Sequence, residues 1–264
     1  MRGRRALRSA AALGLLAMTA TACSGEVKRL GMPEPISDQA ERMLTLWQGS
    51  WIAAFAVGAV VWGLIIWAVL FHRKRSDDLP PQVRYNMPIE ILYTAVPFVI
   101  IAVLFYFTAR DENYVEKTTK NPAVTIDVTG FQWSWQFDHK EKDASGKEKT
   151  VASVIGTPVA PNAPAGAKPV MMVPANQTVR VRLHANDVIH SFWVPALLYK
   201  KDVMPGYVNE FEFTARKLGT YEGRCAELCG VDHSRMLFQL QVVPPEQYAK
   251  FIADSKAKAA GGAK

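Results

Sequence analysis

Residues 223–236, GRCAELCGVDHSRM, hold two of the chain's three cysteines, one of its five histidines and a methionine. Cys225, Cys229 and His233 follow one another at intervals of four, and Met236 comes three later. A C-x3-C pair in an exported domain is by itself an ordinary disulfide candidate. The imidazole and the thioether change that reading, because soft sulfur suits Cu(I) and imidazole suits either oxidation state of copper. One strand pattern ends at Tyr221 and another starts near Leu237, so a single loop presents all four side chains to a common point.

A site of this kind needs another nitrogen. His184, in VRVRLHAN, is in phase with Arg180 and Arg182 on the polar side of a strand pattern and reads as solvated. His190, in NDVIHSFWVP, follows that strand in a loop flanked by Phe192, Trp193 and Pro195, which would shield a metal from water, and it is the expected ligand. A mononuclear blue-copper site uses one Cys, two His and a weak axial Met, which leaves a cysteine over. Two thiolates can instead bridge two coppers, each with one histidine. Met236 is then a weak axial ligand to one, and the backbone carbonyl of Glu227, between the cysteines, is available to the other. Such a pair shares one electron over both metals with little change in geometry. No position is left for a substrate, so the chemistry is electron relay.

Several kinds of segment accompany this loop. The stretch MRGRRALRSAAALGLLAMTATAC sets four arginines before an apolar run, residues 10–22, that is too short to span a bilayer. Ala20-Thr21-Ala22 before Cys23 fits an A-x-A cleavage site and, less closely, a bacterial lipobox. Residues 1–22 are expected to be a signal peptide and Cys23 to carry lipid, with a plain cut that leaves a thiol as the alternative. Loss of Arg2, Arg4, Arg5 and Arg8 lowers the net charge from +7 to about +3, so nucleic acid is not implied as a partner.

Residues 47–70 and about 91–108 hold no charged residue and predict a two-helix transmembrane hairpin over 47–108, with tryptophans at both ends of the first run as interfacial anchors. Arg73, Lys74, Arg75 and Arg84 place the loop 71–90 in the cytoplasm by the positive-inside rule. The N-terminal segment 23–46 and everything after Thr108 then lie outside. From 109 to 248, segments such as AVTIDVTG, TVRVRLHA, VNEFEFTA and MLFQLQVV alternate apolar and polar residues between Gly, Pro and Asn, the pattern of an antiparallel sandwich or barrel. Residues 138–168 read as an exposed, mobile insertion, and within the C-terminal tail 249–264 the stretch SKAKAAGGAK, residues 255–264, reads as disordered.

In this order after two membrane helices, IEILYTAVP, GFQWSWQF, DVIHSFWVP, KKDVMPG and GTYEGRCAELCGVDHSRM resemble subunit II of the haem-copper cytochrome c oxidases, with its binuclear copper centre CuA. The resemblance runs from Trp47 to about Val243. It implies a cupredoxin-like barrel in which His190, Cys225, Glu227 through its carbonyl, Cys229, His233 and Met236 hold two coppers. It implies a subunit of a proton-translocating terminal oxidase in a bacterial plasma membrane, bound to subunits I and III. Electrons come from cytochrome c, soluble or tethered as a domain, and pass to subunit I, which reduces O2 to water.

The same resemblance makes Trp133 the electron entry point. It makes the Glu227 side chain a ligand to Mg2+ or Mn2+ shared with subunit I, and Glu90 a residue at the mouth of a proton-uptake channel in that subunit. Read from the residues alone, GFQWSWQF is one strand with Phe131, Trp133, Trp135 and Phe137 on a buried face, the Glu227 carboxylate balances copper charge, and Glu90 is a helix cap. Ser134 stands where the family usually has an aromatic, and Phe131 where it often has histidine, so no route through those side chains is carried over. A quinol oxidase subunit II would share the helices and barrel but lack the copper ligands, and a soluble copper carrier would need no hydrophobic hairpin. A copper-delivery protein would use exposed Met and Cys motifs.

Overall fold

The computed structural model describes residues 25–79, 81–160, 162–164 and 166–261. The expected signal peptide and Cys23 lie outside them. The chain divides into two units: Thr45–Tyr114 forms one, and the chain before Thr45 joins the chain from Val115 onward to form the other.

Among the described residues, helix α1 (Asp38–Phe71) from Thr45 onward and helix α2 (Met87–Val115) as far as Tyr114 supply the first unit. Helix α1 starts where Ser37 Oγ accepts a hydrogen bond from Ala40 N at 3.1 Å, with Asp38 and Glu41 in a first turn that favours negative charge. Helix α2 starts at a reciprocal cap. Asn86 Oδ1 accepts from Ile89 N at 3.4 Å, and Glu90 Oε1 accepts from Asn86 N at 2.8 Å. Both helices outrun the apolar segments read in the sequence, because helical hydrogen bonding continues through the polar turns on either side. Both are long and apolar enough to cross a membrane, with mean hydropathy 2.4 and 2.2 over their apolar windows. At 34 residues α1 is about 50 Å long, more than a hydrocarbon core of about 30 Å.

Among the described residues, ten strands build the second unit: β1 (Val124–Phe131), β2 (Ser134–Lys142), β3 (Glu148–Ile155), β4 (Val170–Pro174), β5 (Thr178–Ala185), β6 (His190–Val194), β7 (Tyr199–Val203), β8 (Asn209–Thr214), β9 (Gly219–Cys225) and β10 (Leu237–Val243). They form two sheets, ordered β3-β2-β1-β5-β8 and β4-β10-β9-β6-β7, with β1 parallel to β5 and β10 parallel to β4. Alternation decides the faces. On β5, Val179, Val181 and Leu183 enter the core, while Arg182 Nε pairs with Asp127 Oδ1 at 2.6 Å on the outer face. His184 shares that outer row as expected, its Nε2 3.7 Å from the same Asp127 oxygen. Trp135 and Phe137 from one sheet meet Phe238 from the other at ring separations of 5.4 and 5.6 Å, so aromatic packing joins the two layers.

The structure corrects the sequence reading at several elements. GFQWSWQF is a reversal and not one strand: Phe131 pairs with Ser134, so Gln132 and Trp133 form the turn between β1 and β2. Trp135 and Phe137 are buried, whereas Phe131 and Trp133 are half-buried. Neither Gln nor Trp is a turn former, which is why the pattern concealed it. The expected insertion 138–168 contains the end of β2 and all of β3, joined by a turn in which Asp143 Oδ1 accepts from Ser145 N at 2.8 Å and Lys147 N at 3.0 Å. The stretch expected to be disordered is helical as far as Gly261, as the end of helix α3 (Pro245–Gly261), which is anchored just upstream by buried Ile252 and by the Phe251 ring, 5.2 Å from that of His139. Part of segment 23–46 belongs to the β unit. Ile36 is 2% exposed within its core, and the Asp38 carboxylate pairs with Arg216 at 2.6 Å.

Candidate metal centre

Strands β9 and β10 lie side by side and antiparallel, and the ligand loop is their connection. Its neck is closed by backbone, Cys225 N donating to Met236 O at 3.1 Å. Cys225 is the last residue of β9, Cys229 sits in the loop, His233 opens a single 3-10 turn, and Met236 immediately precedes β10. Strand β6 borders β9, with Phe192 opposite Cys225. His190 therefore reaches the loop as the first residue of a strand, where the sequence suggested a loop.

The donors converge. Cys225 Sγ lies 3.9 Å from Cys229 Sγ and 4.0 Å from His190 Nδ1. Cys229 Sγ lies 3.5 Å from His233 Nδ1 and 3.8 Å from Met236 Sδ. One metal-ligating atom from each of His190, Cys225 and Cys229 falls within 4.8 Å of the others. Both cysteines are free thiols and buried. A metal bonds sulfur at about 2.3 Å, so an ion can touch both sulfurs from either side of the line between them. Each histidine approaches a different sulfur. The donor set therefore fits two soft ions better than one, and it does not form a disulfide here. The Glu227 carbonyl accepts from Cys225 Sγ at 3.2 Å, while its side chain is exposed.

Electrostatics separate the two thiols. Burial pushes the Cys225 thiol up, yet hydrogen bonding with His190, with the Glu227 and Ser191 backbone and with Cys229 outweighs it and holds it below the ordinary thiol value. Burial, followed by the charge of Cys225, pushes Cys229 up to about 12. Burial pulls His190 down, but Cys225 and Asp187 together leave it above its usual value.

Two residues that the sequence reading passed over complete the surroundings. Asp187 Oδ1 lies 2.8 Å from His190 Nε2, and its Oδ2 accepts from Gln132 N at 2.6 Å. Gln132 Nε2 and Trp133 Nε1 both donate to the Cys229 carbonyl, at 2.9 and 3.0 Å. Trp133 thus lies against the ligand loop. A carboxylate three residues before a ligand histidine was the available signal for Asp187, since such ligands usually donate their second nitrogen to an acceptor. Glu90 belongs to the helix unit and takes no part in this group.

The family model for the periplasmic domain of cytochrome c oxidase subunit II matches residues 124–243. A protein of Streptomyces coelicolor named "Probable cytochrome c oxidase subunit 2" is 48% identical over 285 residues, covering 98% of this chain and 89% of that protein. The cytochrome c oxidase subunit 2 of Mycobacterium bovis is 37% identical over 297 residues, covering 95% and 82%. Among solved structures, the periplasmic domain of subunit II of cytochrome oxidase from Bradyrhizobium japonicum is 33% identical, with a TM-score of 0.44, and covers 53% of this chain and 99% of that one. Identity at this level over nearly the whole length shows that the chain belongs to the cytochrome c oxidase subunit 2 family.

Proposed function

We propose that the chain relays single electrons from cytochrome c, soluble or tethered, to the haem-copper subunit I of a terminal oxidase, where O2 is reduced to water. The ligands are His190, Cys225, the Glu227 carbonyl, Cys229, His233 and Met236, and the centre is the binuclear CuA. One observation carries this reading: two free thiols 3.9 Å apart, each with its own histidine nearby. Held by these residues, a copper pair would supply one-electron relay chemistry.

The chain's own residues orient and enclose the site. Met236 and His190 are fully buried, so water is kept from the sulfurs. Trp133, half-buried on the Cys229 carbonyl, offers an aromatic edge where a donor haem can dock. The exposed Glu227 carboxylate is suited to share Mg2+ or Mn2+ with subunit I. Helices α1 and α2 anchor the chain as a multi-pass protein of the bacterial plasma membrane beside subunits I and III, with the loop 71–90 in the cytoplasm and the β unit outside. Glu90 then stands at the cytoplasmic end of α2, near the mouth of a proton path in subunit I, and Cys23 carries lipid after signal cleavage.

Metal analysis and spectroscopy of the purified oxidase test this. Two coppers per copy of this chain, a purple colour and an electron spin signal spread over both ions are expected. One copper, a blue colour and an ordinary four-line signal would overturn it.

A further inference from the structure

The β1–β2 turn is fastened to the ligand set at two acceptors, neither of which a two-residue turn requires. The first is Asp187, which divides its oxygens. Oδ1 accepts from Val188 N at 2.6 Å and meets His190 Nε2 at 2.8 Å, and Oδ2 accepts from Gln132 N at 2.6 Å. His190 turns Nδ1 toward Cys225 Sγ, so Nε2 is the atom that donates to the carboxylate. The second acceptor is the Cys229 carbonyl, which takes Gln132 Nε2 and Trp133 Nε1 together, one on each lone pair.

Space around the two rings is closely fitted. Gly230 has φ +123°, and a Cβ there would sit 2.9 Å from Trp133 Nε1. A Cβ on Gly130 would sit 3.1 Å from His190 Cδ2. Gln132 itself is exposed. Burial therefore does not locate the turn, and its polar contacts do.

We propose that Gln132 and Asp187 are positioning residues that hold the Trp133 indole and the His190 imidazole in one hydrogen-bonded frame, so that the electron-entry ring and a metal ligand keep a fixed relation. Gln132 acts on Trp133 through the shared carbonyl: with one lone pair occupied, the indole has one direction of approach. Asp187 acts on both rings, orienting the imidazole with one oxygen and anchoring the turn backbone with the other. The assignment rests on the copper and Trp133 reading above.

The test uses the intact oxidase with Gln132→Met, which keeps length and loses the donor, and Asp187→Asn, which keeps shape and loses charge. Asp187→Glu replaces the latter if it does not fold. Copper content, midpoint potential and the rate of reduction by the cytochrome donor are measured. In the metal-free full-length chain, solvent exchange of the Trp133 indole N–H is followed by NMR, assigned by its loss in Trp133→Phe. Gln132→Met should keep wild-type copper and potential, exchange its indole proton about tenfold faster, and slow donor reduction about 10- to 100-fold. The Asp187 variant should shift the potential and weaken metal affinity or donor reduction by about 10- to 100-fold. Wild-type indole exchange or wild-type reduction in Gln132→Met overturns the proposal, as does an unchanged potential in an Asp187 variant that retains copper. A purely structural role would lower melting temperatures and leave those readouts unmoved, which also overturns it. Failure of the underlying function looks different: the wild-type chain would lack two coppers, or Trp133→Ala would be reduced normally. The exchange measurement needs no metal and decides the positioning of the indole in either case.

Discussion

The Trp135 indole nitrogen donates to the Met236 carbonyl at 3.2 Å. A fully buried ring of β2 thus steadies the residue whose thioether lies 3.8 Å from Cys229 Sγ. Trp135→Ala should destabilise the β unit by about 3–5 kcal/mol, since it opens a cavity among Phe192, Phe238 and His190 and removes one of the two donors to the Met236 carbonyl, the Cys225 amide being the other. Denaturant unfolding of the full chain reads this directly, and a loss below about 1 kcal/mol would contradict the packing described.

Trp133→Ala should behave oppositely. Its indole is half-buried and touches the loop through the Cys229 carbonyl, so the metal donors stay in place. Copper content and the purple spectrum should be unchanged, while stopped-flow reduction by the cytochrome donor slows by more than about tenfold, a barrier increase above about 1.4 kcal/mol. Normal kinetics would move electron entry elsewhere on the surface.

His139 makes stability depend on pH. It is fully buried on β2, with Nδ1 3.0 Å from the Tyr248 hydroxyl, and burial lowers its pKa from 6.5 to about 4 against an opposing pull from Asp138. Between those values the unfolded chain binds the extra proton. Stability is therefore full above about pH 6.5 and falls by about 1.4 kcal/mol per pH unit as the pH drops toward 4. His139→Phe should remove this part of the slope in melting experiments between pH 7 and 5. Identical slopes would assign the dependence to other groups.

Glu90→Gln retains an acceptor for Asn86 N, so the start of α2 should survive. Oxidase turnover should fall while the copper spectrum and the rate of electron entry stay normal. Unaltered turnover would leave Glu90 with the capping contact alone.

Mass spectrometry of the mature chain should find a diacylglyceryl group on Cys23, and Cys23→Ala should alter processing more than turnover. An unmodified N-terminal cysteine would favour the plain A-x-A cut.

The clustering of these side chains was legible because local sequence carries it: Cys225 ends β9, Cys229, His233 and Met236 follow in its connection to β10, and their types are chemically unusual together. His190 needed only its aromatic neighbours. Gln132 was not legible in the same way, because its contacts with Asp187 and with the Cys229 carbonyl are remote in sequence, whereas Asp187 stands only three residues before His190 and lacked the unusual residue type that marks the thiols. The β1–β2 reversal was hidden by an unbroken aromatic alternation that two strands happen to share. Helix α3 looked like a solvated tail because its anchoring side chains, Tyr248, Phe251 and Ile252, precede a long polar and small-residue stretch that dominates the composition. Edge strand β3 was masked for a related reason: only Ala152 is buried along it, so its polar surface resembles a loop.

The hydrogen bond from the Cys225 amide to the Met236 carbonyl has a consequence for the order of assembly. The chain between those residues is already closed by the pairing of β9 with β10, so the entropy of loop closure is spent during folding of the barrel and not at metal capture. Zinc-finger peptides behave in the opposite way, with the ion itself drawing an unfolded chain together. An ion bound here would enter an enclosure that the backbone has already closed, so its capture would not carry the cost of closing the loop.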